Sequence, residues 1–179
     1  VGSLDVVDAT LPDRIFRNGV ASTCAVPKVF PGMLGGAGPH YYDTYTYSNA
    51  SANTQCVTVT YISSTINQVH VTAYNGSFNP ASQATNYLAD GGSSSNGALV
   101  TFSFNVASGA TLVLVAFEPT AGVASPQYTL TVNGLVCPGP TTSFNITVLP
   151  SDQGNPAPNQ TLSNRSAKPT VNLTKTRET

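Results

Sequence analysis

The sequence predicts an all-β protein, an antiparallel β-sandwich or jelly-roll of about eight strands, followed by an extended C-terminal tail that carries one further, donor-type strand. Three observations predict it. Runs rich in Val, Thr and Tyr recur along the chain between clusters of Asn, Ser, Gly and Pro, the punctuation of short strands and turns. No apolar period of 3.6 residues is sustained for three helical turns. Finally, Ser143–Leu149 alternates Phe144, Ile146 and Val148 with Ser143, Asn145 and Thr147, fenced by Cys137-Pro138-Gly139-Pro140 on one side and Pro150 on the other. A lone strand with one apolar face and both backbone edges bare does not persist in water, so this one must pair with something.

The elements follow in order. Leu4–Ala9 is a short apolar-rich stretch, Arg14–Arg17 precedes the turn signal Asn18-Gly19, and Pro27–Pro39 is a loop rich in Gly and Pro. Tyr41–Tyr47, Cys56–Ile62, Val69–Tyr74, Ala98–Val106, Thr111–Phe117 and Gln127–Val132 read as strands. Leu112–Phe117 is apolar at successive positions, so it presents apolar side chains to both faces of its sheet and belongs at the centre. The expected organisation is therefore an N-terminal extension and loop over residues 1–40, a sandwich over 41–137, and a tail over 138–179 that contains the strand 143–149.

A chain of 179 residues is long enough for one domain with a real core plus extensions. Only 8% of it is charged, against roughly 25% in an ordinary soluble domain. No Lys or Arg lies between Val29 and Asn164, and the acids there are Asp43, Asp90, Glu118 and Asp152. The polar surface must then be built of Ser, Thr, Asn and Gln. It offers no electrostatic footprint for nucleic acid and no basic amphipathic helix for a membrane surface. No run of 18 apolar residues is present to span a bilayer. Such a surface also lacks the charge repulsion that keeps cytosolic proteins apart. It reads as an extracellular surface, covered by sugar or buried between subunits. A start at Val1 fits either a mature product after signal removal or an excised fragment.

Three cysteines, Cys24, Cys56 and Cys137, make an odd count. A Cys24–Cys137 bridge would staple the entry of the domain to its exit, and closing so long a loop stabilises by about 4–5 kcal/mol in the chain-entropy description. Cys56, at the start of a strand, is then a buried thiol. The alternative is that all three are reduced in the cytosol, against which the composition speaks. There is no CxxC and no His/Cys spacing for zinc, and no cofactor is expected.

The phrases Tyr42-Asp43-Thr44-Tyr45-Thr46-Tyr47-Ser48-Asn49, Cys56-Val57-Thr58-Val59, Ala73-Tyr74-Asn75-Gly76-Ser77-Phe78-Asn79-Pro80, Thr85-Asn86-Tyr87-Leu88-Ala89-Asp90, Phe102-Ser103-Phe104-Asn105-Val106 and Tyr128-Thr129-Leu130-Thr131-Val132 occur in that order. The series resembles the β-sandwich modules repeated in large secreted and cell-surface proteins of bacteria, akin to the bacterial pre-peptidase C-terminal domain. The resemblance covers Tyr41–Gly134. It implies the fold and an extracellular setting, and it implies no reaction. Such modules often carry further cysteines near the positions of Ala84 and of Ala124 or Ser125. Their absence here is a further reason to expect Cys56 unpaired.

The tail is outside that resemblance. Ser151–Asn164 has linker composition, and a second alternating segment, Thr170–Thr174, follows Pro169 with Arg165, Lys168, Lys175 and Arg177 around it. The leading expectation is a structural subunit of an extracellular bacterial fibre, in which a terminal strand of one copy completes the sheet of the next. Phe144, Ile146 and Val148 are the expected anchors, with Val171 and Leu173 secondary, and Leu4–Val7 is a rival donor. The partners are then copies of the chain itself, with glycan besides. The plain alternative makes Ser143–Leu149 the last strand of its own sandwich, or the opening of a next module.

From another class comes a non-catalytic adhesive or carbohydrate-binding module, with Tyr41, Tyr42, Tyr45 and Tyr47 as a stacking face. Against it, alternate tyrosines in a strand divide between core and outer surface. An enzyme is the weakest reading. His40 and His70 lie in no nucleophile or metal motif, His70 alternates with Val69 and Val71 as a surface or inter-strand residue, and Asp43, Asp90 and Glu118 match no calcium loop. Asn49, Asn75, Asn145, Asn159, Asn164 and Asn172 each open an Asn-x-Ser/Thr triplet. Attached sugar, expected above all on the tail, would keep an uncharged fibre soluble.

Overall fold

The fold is described by a computed structural model covering residues 1–35, 38–63, 68–122 and 127–135. Eleven short strands make it, and no helix occurs among the described residues. They are β1 (Gly2–Ser3), β2 (Ala9–Leu11), β3 (Arg14–Ile15), β4 (Met33–Leu34), β5 (His40–Ser48), β6 (Gln55–Ser63), β7 (His70–Asn75), β8 (Tyr87–Asp90), β9 (Val100–Val106), β10 (Thr111–Phe117) and β11 (Gln127–Asn133).

Period-two alternation builds the first sheet, of order β1-β11-β6-β9. Val57, Val59 and Tyr61 of β6, Phe102, Phe104 and Val106 of β9 and Tyr128 of β11 face the core, while Thr58, Thr60, Thr101, Ser103, Thr129 and Thr131 alternate with them. No strand of this sheet contains a charged residue. The charge deficit of the sequence thus becomes a polar, uncharged outer face.

The second sheet, of order β2-β5-β10-β7-β8, is buried on both faces. Leu112, Leu114 and Ala116 of β10 join Val71 and Ala73 of β7 in the inter-sheet core. Their alternates Val113, Val115, Phe117 and Tyr74 form a separate cluster with Leu11 and Ile15, flanked by Phe30, Tyr42, Phe78 and Tyr87. β10 is therefore the central strand that its doubly apolar sequence demands. What covers its other face is the segment 14–34, tied into the short β3–β4 pair, Arg14 opposite Leu34 and Ile15 opposite Met33.

Residues 1–40 are accordingly no extension. β1 pairs with β11, β2 pairs with β5, and Leu4 between them is fully buried in the inter-sheet core. The N-terminal segment crosses from one sheet to the other and closes part of its own sandwich, so Leu4 is not a donor for a neighbour. Val1–Thr141 forms one compact unit; the expected boundary at 137/138 lies outside the described residues.

The disulfide joins Cys24 to Cys56, not Cys24 to Cys137. Cys56 lies opposite Asn105 in the β6–β9 ladder and alternates with core-facing Val57, so its sulfur points away from the core rather than being a buried thiol. Cys24 is brought to the same face because residues 22–24 run beside β9. The Ser103 amide donates to the Ser22 carbonyl at 2.9 Å, and Asn105 Nδ2 donates to the Cys24 carbonyl at 2.8 Å. Cys137 lies outside the described residues.

Candidate functional site

Two features stand out against this frame: an incompletely covered sandwich edge, and a buried ionic cluster under the segment 14–34.

The edge is formed where β11 faces β5. Tyr128 and Tyr45 meet across the two sheets, hydroxyl to hydroxyl at 2.6 Å, and Tyr128 Oη donates to Asp43 Oδ2 at 2.6 Å. Burial raises the pKa of both phenols, so they stay protonated and serve as a polar staple. Gly2 closes this end, because a Cβ there would meet Tyr128 Cζ at 2.5 Å and the Tyr45 hydroxyl at 2.7 Å. Beyond it the cover stops. β1 pairs with Tyr128 and Gln127 alone, and β2 covers His40, Tyr41 and Tyr42 of β5. Among the described residues no strand lies on the outer edge of Thr129–Asn133. The side chains record the gap: Leu130, Val132 and Leu135 pack on the core yet remain half-buried. By contrast Val59 and Tyr61, their partners one strand inward, are fully buried.

The ionic cluster is built on Asp90 at the end of β8. Its carboxylate takes Lys28 Nζ at 2.6 Å, the Tyr87 hydroxyl and the Gly92 amide, and Lys28 also donates to the Val20 carbonyl at 2.7 Å. The side chains of Lys28 and Asp90 are 7% and 0% exposed. The Ser22 amide donates to the Asp90 carbonyl, and the Asp90 amide to Ser22 Oγ. Arg17 adds hydrogen bonds to Gln68 Oε1 at 2.6 Å and Ser94 Oγ at 2.8 Å. Two of the three described basic side chains outside the tail, Arg17 and Lys28, thereby pin the covering segment to the sheet.

His70 sits under the same cover. It is fully buried, its Nδ1 lies 3.0 Å from the Ser93 carbonyl, and Nε2 stands 3.8 Å from Asp90 Oδ1. It is thus not a surface residue but a buried one within β7, opposite Phe117 of β10. Burial pushes its pKa down to about 4, opposed by the charge of Asp90. His40 is also buried, its Nδ1 2.9 Å from the Glu118 carbonyl, and burial lowers its pKa. Asp43 and Asp90 belong to separate networks on different faces, and among the described residues no group of three metal-ligating side chains occurs.

The tyrosines of β5 make no exposed platform. Tyr41, Tyr45 and Tyr47 pack on the inter-sheet core, and Tyr42 packs edge-on against Phe78 on the opposite face, ring centroids 5.4 Å apart. Of the two described glycosylation triplets, that at Asn49 is sealed. Asn49 is fully buried and its Nδ2 donates to the carbonyls of Asn53, Val106 and Ala107 at 2.9–3.0 Å, so it serves as a turn clamp and not a sugar acceptor. Asn75, at the end of β7, is exposed. Asn145, Asn159, Asn164 and Asn172, and the expected anchors Phe144, Ile146, Val148, Val171 and Leu173, lie outside the described residues. The Lys28–Asp90 cluster was missed in the sequence. Its one signal was that Lys28 is the last cation before a long cation-free stretch containing few acids.

The fold and these sites define a disulfide-bridged antiparallel β-sandwich with one under-covered edge. Comparison with protein-family models, with curated proteins and with solved structures returned no match.

Proposed function

We propose that this chain is a structural subunit of an extracellular bacterial fibre or filament, assembled head to tail by β-strand complementation between protomers. One observation carries the reading: among the described residues no strand lies along the outer edge of Thr129–Asn133 of β11, where half-buried Leu130 and Val132 border an open backbone edge. Open edges of this kind are ordinarily blunted by charge, proline or a bulge. This one carries none of these devices. The tail supplies the complementary element in the alternating, uncharged Ser143–Leu149. A head-to-tail contact between a strand and an edge is heterologous, so it propagates without closing. The disulfide is compatible with an extracellular location, and a surface of Thr, Ser and Asn suits close subunit packing with sugar on exposed positions such as Asn75.

Electron microscopy and light scattering on the full chain beside a version ending at Pro140 test the proposal. Uniform filaments from the full chain and monomers from the shorter one are expected. Monodisperse monomers from both would overturn it and favour a non-catalytic adhesive module of a larger surface protein.

A further inference from the structure

We propose that Lys28 and Asp90 condense into an amide, Nζ to Cγ, which fastens the covering segment 14–34 to β8 as a second cross-link beside the Cys24–Cys56 disulfide. The proposal stands on the buried cluster alone and holds whether or not the chain forms fibres.

The sequence permits the close approach that such a bond requires. Asp90 is followed by Gly91 and Gly92, and Gly92 turns at φ +69° with the Val20 backbone lying where its Cβ would be. Only glycine lets the cover settle directly on the end of β8 in this way. Ser22 fixes it there, its amide donating to the Asp90 carbonyl at 3.0 Å and its Oγ accepting from the Asp90 amide at 3.1 Å. Lys28 then reaches back over the same point, its Nζ 2.7 Å from the Val20 carbonyl and 2.6 Å from Asp90 Oδ1.

Three features of the pair go beyond what an ion pair needs. The first is proximity: with a C–O bond of about 1.2 Å, Nζ lies no more than about 3.8 Å from Cγ. Groups held so near, once aligned, react as if one were present at about 10⁵–10⁸ M. The second is burial. The two side chains are 7% and 0% exposed, which opposes keeping both charged. Condensation exchanges two buried charges for one neutral amide and releases a water. The third is the set of groups around the carboxyl. Tyr87 donates its hydroxyl to Oδ2 and the Gly92 amide donates to Oδ1. His70, fully buried, holds Nε2 3.8 Å from Oδ1 without a hydrogen-bond partner. Its Nδ1 faces the Ser93 carbonyl at 3.0 Å. A carbonyl only accepts, so the proton sits on Nδ1 and Nε2 keeps a free electron pair. A salt bridge has no use for a bare base at its side; acyl transfer does.

The step balances within the cluster. The Lys28 ammonium passes one proton along its hydrogen bond to Oδ1, and the electron pair freed on Nζ attacks Cγ. The negative charge that develops on Oδ2 is held by the Tyr87 hydroxyl. Nζ gives a second proton to His70 Nε2, which hands it to Oδ1 as the Cγ–Oδ1 bond breaks, and Oδ1 leaves as water. The amide retains one N–H, directed at the Val20 carbonyl. One ammonium and one carboxylate have become one amide and one water, with no oxidant or co-reactant consumed.

Intact-mass analysis of the reduced full chain tests the bond, which should appear as the loss of one water from the sequence mass. A chymotryptic digest of the reduced protein should then contain a branched peptide joining the Lys28 and Asp90 segments. Lys28→Arg keeps a cation at the site and should restore the full mass. A wild-type chain at full mass after prolonged incubation would overturn the proposal and leave an ion pair only. Loss of water that persists in Lys28→Arg would overturn it too, placing the reaction within Asp90-Gly91 as a succinimide. In freshly synthesised chain sampled over time, His70→Gln should slow the appearance of the lighter species by about 100-fold, and an unchanged rate would take the proton relay away from His70.

Discussion

Removing the Cys24–Cys56 bridge, by replacing both cysteines with serine, should destabilise the sandwich by about 3.5–4 kcal/mol. The figure follows from the sequence separation of 32: in the chain-entropy description, freeing a loop of that length returns about 12 cal/mol/K to the unfolded chain, or about 3.7 kcal/mol at 25 °C. Against a domain stability of about 5–15 kcal/mol, that is a large share, and at about 4 °C per kcal/mol it lowers the midpoint of thermal unfolding by about 15 °C. Both cysteines must be replaced together, since a lone Cys24 would be free to seek Cys137. Urea unfolding followed by circular dichroism measures the loss. Pairing is read from a non-reducing digest, and the protease matters: no Lys or Arg lies between Val29 and Asn164, so trypsin would leave Cys56 and Cys137 in one peptide. Chymotrypsin, cutting at Phe78 and Tyr87, separates them. A double variant within about 1 kcal/mol of the parent would refute the loop-closure reasoning, and a Cys24 peptide bonded to Cys137 would refute the pairing.

Acid should destabilise the fold through His70. Its folded pKa, about 4, lies below the ordinary 6.5, so the unfolded chain takes the proton first. The contribution is whole above pH 6.5 and is lost as pH falls toward 4, amounting to about 3 kcal/mol at the acid end. His70→Gln should flatten that part of the curve, and a slope unchanged from wild type in urea titrations would contradict it. Asp90→Ala strands the buried Lys28 ammonium and should cost about 3–5 kcal/mol. Adding Lys28→Met should recover most of it, so strictly additive losses in the double-mutant cycle would show that the two charges do not support each other. Asn49→Ala deprives three carbonyls of their donor and should cost about 2–3 kcal/mol. Glycopeptide mass analysis should find Asn49 bare in native material, and sugar on it would mean that the turn clamp opens.

The residues that repeat every second position spoke for themselves. β5, β6, β7, β9, β10 and β11 were readable to within a few residues, because a strand buried on one face must alternate and one buried on both must be apolar throughout, as Leu112–Phe117 is. β1, β2, β3 and β4, of two or three residues each, are too short to show any period. β8 was visible as a recurrent phrase and not as a strand, since Tyr87, Leu88, Ala89 and Asp90 do not alternate in polarity. The same limit hid the role of residues 1–34. A segment that covers a sheet makes scattered contacts through Leu4, Leu11, Ile15, Lys28 and Phe30, and scattered contacts leave no periodic trace.

By itself, then, the sequence determined the all-β class, the central place of β10, the uncharged polar surface and the alternating pattern at Ser143–Leu149. Each of these is set by local order, through the pleat that sends neighbouring side chains to opposite faces. The tertiary structure alone decided the partner of Cys24, the burial of His70 and Asn49, the fate of Lys28 and Asp90, and which stretch of edge stays uncovered. Those depend on what lies across space from each residue. Cys24 and Lys28 lie 32 and 62 residues before Cys56 and Asp90, and only the path of the segment 14–34 over the sandwich brings each pair within bonding reach, while the pairing of β7 with β8 brings His70 under the Ser93 carbonyl.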